Sequence, residues 1–277
     1  MDDHTSASVE SHYGRGKILD AILGALAISG KDLTKLVPAD LAPVDEFHIR
    51  GREGTLELAS RLGLTPGLRV VDVGSGLGGS ARYLASEHQC RVTGIDLTHE
   101  YVEVAKALAV RVGLGGKIDF RHGSALAMPF ESGAFDLAWT EHVQMNIADK
   151  RAFYGEIARV LKRGGRLAFH DIFQGAGGTP HFPVPWADEP SIGFLATPDA
   201  IRDALADAGF KILDWQERTE RALEWFTETF DKVKQSGPPP LGIHLLMGTT
   251  AKAKFENILR NLQEHRIAVY QAVTQKT

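Results

Sequence analysis

Two acids and a run of glycines form the first group of residues able to act together. The segment Val70-Val71-Asp72-Val73-Gly74-Ser75-Gly76-Leu77-Gly78-Gly79-Ser80 leaves a short apolar stretch and enters a helical pattern. Gly74, Gly76 and Gly78 let the backbone turn sharply and approach a ligand, with Ser75 between them. The start of the following helix adds unpaired N–H groups. No Gly-Lys-Ser/Thr ending is present, which excludes a phosphate-binding P-loop. Gly74, Gly76 and Gly79 satisfy the Gly-x-Gly-x-x-Gly spacing literally, so the glycines alone do not choose a ligand. The acids discriminate. Asp72, at the end of the strand, would repel a pyrophosphate and suits a cation or amino group. Asp96, 20 residues beyond Gly76, ends the next apolar stretch and is placed to accept both hydroxyls of a ribose. The competing readings are a plain strand-end acid for Asp72 and a helix-capping acid for Asp96.

The elements that must position this group follow from the pattern after Leu68. Strands are expected at 69–73, 91–95, 118–122, 135–139, 165–172 and 210–215, alternating with helices, and a seventh strand at 267–276. That alternation implies an α/β fold: a doubly wound Rossmann-like sheet, its last strand antiparallel. Residues 1–64 read as an N-terminal arm and helical cap, with residues 1–14 a flexible arm. A helix is expected at 15–29, then a chain interrupted by Pro38 and Pro43, then a helix at 51–62. Residues 65–277 read as the ligand-binding domain, with lid insertions at about 173–197 and 219–265. Loops of that length in a compact domain are usually functional.

Composition narrows the function classes. With 31 Lys+Arg against 35 Asp+Glu the net charge is -4, which argues against an extended nucleic-acid surface. A single cysteine, Cys90, excludes an intramolecular disulfide framework and an all-cysteine metal cluster and fits a cytoplasmic setting. The longest apolar run, 18–28, is too short for a bilayer span. The eleven histidines include no His-x-x-x-His on a helical pattern. His142 and His170 end different strands, but no third ligand is evident, so no metal is expected.

A ligand with a ribose, a positive charge and no phosphate is S-adenosylmethionine, and here the motifs resemble a family. The glycine loop, Met128-Pro129-Phe130 before Phe135-Asp136, and Leu161-Lys162-Arg163-Gly164-Gly165 resemble the class I S-adenosylmethionine-dependent methyltransferases over about residues 68–215. Asp45-Glu46-Phe47-His48-Ile49-Arg50-Gly51, Glu141-His142-Val143-Gln144-Met145-Asn146-Ile147 and Phe182-Pro183-Val184-Pro185-Trp186-Ala187 resemble the sarcosine/dimethylglycine N-methyltransferase subgroup more closely. The resemblance implies a seven-stranded sheet with S-adenosylmethionine held by Asp72, Gly74, Ser75, Gly76, Gly78 and Asp96. Leu97 packs beside the adenine, Ser124 and Ala125 offer it hydrogen bonds, and Glu141 belongs to the same site. The chain has Ser124-Ala125 where Asp-Ala is typical.

Methyl transfer needs an acceptor lone pair in line with the C–S bond, dry surroundings and a place for the acceptor's proton. His142 is the first candidate base, against a merely bracing role, and His170 points either into the cleft or into a helix layer. Gln144 and Asn146 are placed to orient an acceptor, Met145 to pack, and Trp186 to wall the acceptor pocket or a lid. By resemblance the N-terminal segment crosses the cofactor, so Tyr13 caps the sulfonium side, His48 borders the substrate, and Arg50 and Arg52 clamp a carboxylate. Arg82 is a competing anion site. The expected acceptor is a small molecule, first the amine of a small amino acid such as sarcosine or dimethylglycine. The alternative is O- or C-methylation of a phenolic, prenyl or other natural-product intermediate. Neither nucleic acid nor a membrane span is expected, and the chain is read as a monomer or homodimer.

Overall fold

The computed structural model describes residues 3–14 and 17–277. Seven strands, β1 (Arg69–Val73), β2 (Arg91–Asp96), β3 (Ile118–His122), β4 (Phe135–Glu141), β5 (Leu161–Gln174), β6 (Phe210–Glu217) and β7 (Ile267–Lys276), form one sheet in the order β3-β2-β1-β4-β5-β7-β6. β1 to β5 pair in parallel, whereas β7 runs antiparallel to both β5 and β6. The chain winds outward from β1 in one direction and from β4 in the other. The crevice at the carboxyl ends of β1 and β4 is therefore the switch point where such sheets bind ligands.

The helices are α1 (Asp3–Tyr13), α2 (Ile18–Ile28), α3 (Pro38–Asp45), α4 (Gly51–Ala59), α5 (Gly79–Glu87), α6 (His99–Arg111), α7 (Lys150–Val160), α8 (Pro198–Asp207), α9 (Thr219–Ser236), α10 (His244–Met247) and α11 (Ala251–Gln263). One sheet face packs on α7 and α8 through Phe153, Ile157, Ile201 and Leu205. The other packs on α4, α5 and α6 through Leu58, Leu84, Val102 and Ala105. Burial of both faces explains why β1 is a run of apolar residues rather than an alternation.

Three expectations change. Residues 3–13 are helix, not a flexible arm; the sequence shows almost no apolar stripe there, and Val9, with Tyr13 at its end, packs the helix on a core. The proposed start of the next helix at Arg15 lies outside the described residues. Pro38 and Pro43 do not interrupt the chain: Pro38 opens α3, where its missing N–H costs nothing, and Pro43 sits inside this eight-residue helix. β5 begins at Leu161 because Lys162 to Gly165 bulge from the β4–β5 ladder between Leu161 and Arg166.

Both insertions cover the carboxyl ends of the central strands. The segment after β5 turns back and buries Val184 and Trp186, and α9 and α11 pack on it through Phe226, Ile258 and Leu262. Among the described residues no helix is long and apolar enough to cross a membrane.

Candidate active site

A cavity opens at the β1/β4 switch point, and its wall has two chemically distinct parts. The first is polar: Asp72, Gly74, Ser75, Gly76, Asp96, Ser124, Ala125 and Glu141. Gly74 and Gly76 have φ of 70° and 51°, a region that disfavours side chains. A Cβ on Gly74 would lie 2.3 Å from Val143 Cγ2, so the glycine loop and the loop after β4 pack directly on each other. Gly78 shapes the loop from behind: its φ is 83°, a Cβ there would meet the Phe120 ring, and it does not reach the cavity wall. Asp96 holds the loop together. Its Oδ2 accepts from Gly76 N and its Oδ1 from Thr98 N, both at 2.8 Å. Of the two readings made from the sequence, these bonds support the backbone-bracing one, and the carboxylate also lines the cavity.

Asp72 is buried, lines the cavity, and has one carboxylate oxygen without a partner. Burial raises its pKa well above the usual carboxylate range, and Glu141, Asp96 and Glu46 push it further. An uncompensated acid beside a glycine cradle, with a second acid at the end of the next strand, fits a ligand carrying a cation and a ribose. S-adenosylmethionine is such a ligand, and Leu97, Ser124 and Ala125 border the same cavity as Asp72 and Asp96.

The second part is apolar. Val9 of α1, Phe47, Ile49, Ile172, Pro185 and Trp186 meet Trp225, Phe226, Leu246, Met247, Phe255 and Ile258 from the C-terminal helices. No lysine or arginine is among the described lining residues. The walls from α9 to α11 were not read from the sequence. The sequence marked 219–265 as a lid insertion without assigning any of its side chains to the cavity.

Between the two parts stand Tyr13, His48, His142, Met145 and Asn146, all in the cavity wall. Tyr13 donates to Asn146 Oδ1 at 2.9 Å, and Asn146 Nδ2 donates to the carbonyls of Trp186 and Ile192. This stitches α1, the turn after β4 and the long insertion together. Burial raises the Tyr13 pKa, and Asp96 and Asp171 add to it, so the phenol stays protonated.

His142 has φ of 54°, unusual for a side-chain-bearing residue. The loop is held in place by Asp171, whose Oδ2 accepts from Val143 N and Gln144 N, and by Lys150, which donates to the carbonyls of Gln144, Ile147 and Phe194. His142 Nε2 is buried and unpartnered. Burial lowers its pKa well below the usual histidine value, and the nearby His170 and His48 rings add to this.

Besides Gly78, five residues singled out from the sequence do not reach the cavity: Arg50, Arg52, Gln144, His170 and Arg82. Arg50 is buried with its Nη1 2.5 Å from Glu57 Oε2, so it cannot clamp a substrate. Arg52 is likewise committed, 2.8 Å from Glu46 Oε1. Gln144 is turned into the core, accepting from Tyr154 OH at 2.9 Å. His170 is fully buried behind His142 and His48, because strand alternation turns it toward the helix layer, against Gly54 of α4. Arg82 is no anion site, since it is buried in an ion pair with Asp45.

Glu141 sits in a network missed from the sequence. Its Oε2 accepts from Ser80 Oγ at 2.6 Å and Trp139 Nε1 at 2.9 Å. His48 Nε2 lies 2.8 Å from Glu46 Oε2 and 3.6 Å from Glu141 Oε1; His170 Nδ1 lies 3.7 Å from Glu141 Oε1. Burial opposes charge here, but Glu141 and Glu46 outweigh it and raise the His48 pKa, while His48, His170 and Ser80 hold Glu141 below its usual value. The absence of a third ligand near His170, inferred from the sequence, is thus corrected: His48 and Glu141 stand beside it. Sequence reading placed His48 beside the substrate and Glu141 beside the cofactor, and no spacing along the chain links the two to His170.

Comparison with known proteins agrees with this geometry. Residues 71–169 match the family model described as a methyltransferase domain. An O-methyltransferase of Pyrenophora dematioidea is 30% identical over 173 residues, 62% of this chain and 65% of that protein. A sarcosine/dimethylglycine N-methyltransferase of Halorhodospira halochloris is 28% identical over 198 residues, 71% of this chain and 70% of that protein. The chain thus spans about two thirds of the length of these relatives. Among solved structures, a geranyl diphosphate C-methyltransferase from Streptomyces coelicolor A3(2) superposes with a TM-score of 0.72 at 16% identity, covering 100% of this chain and 99% of that one. The relatives divide among O-, N- and C-methyltransferases, and the sarcosine/dimethylglycine subgroup is not singled out.

Proposed function

We propose that this chain, a class I S-adenosylmethionine-dependent methyltransferase, methylates the hydroxyl of a hydrophobic, uncharged small molecule. The observation that carries the acceptor class is the apolar half of the cavity, where no lysine or arginine is among the described lining residues. A carboxylate or diphosphate in that chamber would be a buried anion with no lysine or arginine beside it among the described residues, and His48, the one cationic side chain in the described wall, is already engaged by Glu46 and Glu141. This weighs against sarcosine, dimethylglycine and prenyl diphosphates as acceptors, and moves the reading from amine methylation to the alternative.

S-adenosylmethionine, when bound, supplies an electrophilic methyl on a sulfonium. Asp72 opposes that positive charge and Asp96 holds the ribose. His142, at the junction of the polar and apolar parts, presents an unpartnered Nε2 that takes the acceptor's hydroxyl proton. Trp186 and Phe226 hold the acceptor's body against the opposite wall. Tyr13, bonded to Asn146, closes α1 over the junction and excludes water.

The amine reading retains support in the sarcosine/dimethylglycine relative, whose similarity extends over 71% of this chain. A screen for S-adenosylhomocysteine formation separates the two. Hydrophobic phenols turning over faster than sarcosine, dimethylglycine or geranyl diphosphate supports the proposal; the reverse order discards it.

A further inference from the structure

We propose that His48, Glu141 and His170 form a binding site for one divalent transition-metal ion, of which zinc is the best match. The site lies behind the junction of the cavity, where α4, β4 and β5 meet. His48 Nε2 and His170 Nδ1 stand 3.6 and 3.7 Å from Glu141 Oε1, and the donor atoms all lie within 4.8 Å of one another. Around an ion with bonds of about 2.0–2.2 Å, neighbouring tetrahedral donors stand about 3.4 Å apart. The two histidine–glutamate separations are already near that value, and the two histidine nitrogens stand at most 4.8 Å apart. Two imidazoles and a carboxylate are a donor set suited to zinc and its neighbours rather than to magnesium or calcium.

Two further observations point to a ligand. His170 is fully buried, yet neither ring nitrogen has a hydrogen-bond partner. Nδ1 faces Glu141 Oε1 beyond hydrogen-bond length, at 3.7 Å, and an unmet ring nitrogen in the interior is unfavourable; an ion bound at Nδ1 relieves that atom. Secondly, the other two side chains are oriented as metal ligands are, through their remaining atoms. Glu141 Oε2 is fixed by Ser80 and Trp139, whereas Oε1 has only a long 3.3 Å contact from Thr55 Oγ1, whose shorter bond is to Glu46. His48 Nδ1 lies 3.3 Å from the Ile49 carbonyl, leaving Nε2. Glu46, which now faces His48 Nε2, keeps Arg52 and Thr55 when the ion replaces the proton between them. His48 and Glu141 also line the cavity, so a water or acceptor oxygen can complete the coordination.

The test needs no turnover and stands or falls apart from the methyl-transfer reading. The purified full chain is stripped with a chelator and titrated with zinc ion alone against a chromophoric competitor, with cobalt(II) as an optical probe. The proposal expects one zinc per chain at submicromolar affinity and visible cobalt bands of a low-coordinate site. His170→Gln and His48→Gln should each weaken binding at least 100-fold, while the remote His88→Gln binds as wild type. Zinc should also raise the melting temperature of wild type but not of His170→Gln, which shows in the same experiment that the variant folds. Less than 0.1 zinc per chain at saturation, or equal affinity in wild type and both site variants, would overturn it.

Discussion

Replacing Asp96 with alanine is the perturbation that separates a ribose acid from a loop cap. Asp96 makes two charge-assisted bonds within the protein, to Gly76 N and Thr98 N, each 2.8 Å. Its carboxylate oxygens retain lone pairs in the cavity wall, where two ribose hydroxyls would donate. Hydrogen bonds to a charged group contribute about 1.5–3 kcal/mol each. Two lost ribose bonds at the lower end amount to about 3 kcal/mol, or on the order of 100-fold in affinity. Loss of the Gly76 and Thr98 contacts adds about 1–3 kcal/mol of destabilisation for each N–H left without a partner and out of reach of water. The assay is calorimetric titration with S-adenosylhomocysteine, paired with urea unfolding of the same samples. Asp96→Ala should lose both affinity and stability. Asp96→Asn keeps one acceptor oxygen and should fall between. Affinity within threefold of wild type in the alanine variant, with stability reduced, would show that Asp96 is only the loop's cap and that the ribose is held elsewhere.

Other perturbations probe the same frame. Arg82→Leu strands the buried Asp45 carboxylate and should destabilise by about 3–5 kcal/mol in urea unfolding, whereas a loss below 1 kcal/mol would mean water reaches Asp45. Gly74→Ala places a Cβ into Val143 at positive φ; we expect about 1–3 kcal/mol of destabilisation by the same method and loss of S-adenosylhomocysteine binding by calorimetry. Asp72 has a raised folded pKa, so in the ligand-free protein its contribution to stability is present at low pH and declines as pH rises from the unfolded carboxylate pKa through the folded one. Asp72→Asn should flatten that part of a melting-temperature profile. Binding a cation beside Asp72 favours its ionised form, so S-adenosylmethionine binding should release a proton, seen as a buffer-dependent binding enthalpy that disappears in Asp72→Asn.

The sheet and the cofactor half of the cavity were legible because they rest on local rules. Strands buried on both faces read as apolar runs, and a glycine loop between an acid-ended strand and a helix has few alternatives. The helix α1 was not legible because its polar sequence is held by contacts made far away, Tyr13 with Asn146 and His12 with the Pro185 carbonyl. Arg50 and His48 lie two residues apart, and only the turn into α4 decides that His48 borders the cavity while Arg50 meets Glu57. His170 was undecided because alternation gives two faces and not which one is the cavity. The apolar half of the cavity was the least legible part: Trp186 on one side was read from the sequence, but the opposite wall comes from three helices of an insertion whose packing partners are remote in the chain.

The most direct test of the acceptor assignment is to follow a labelled methyl from S-adenosylmethionine into product and locate it by mass spectrometry. The reaction mixture should offer a hydrophobic phenol and sarcosine together, at equal concentration. The apolar chamber predicts label on the phenolic oxygen, with sarcosine methylated at least tenfold more slowly. Label chiefly on the sarcosine nitrogen would contradict the account and would require a carboxylate partner other than lysine or arginine, neither of which is among the described lining residues.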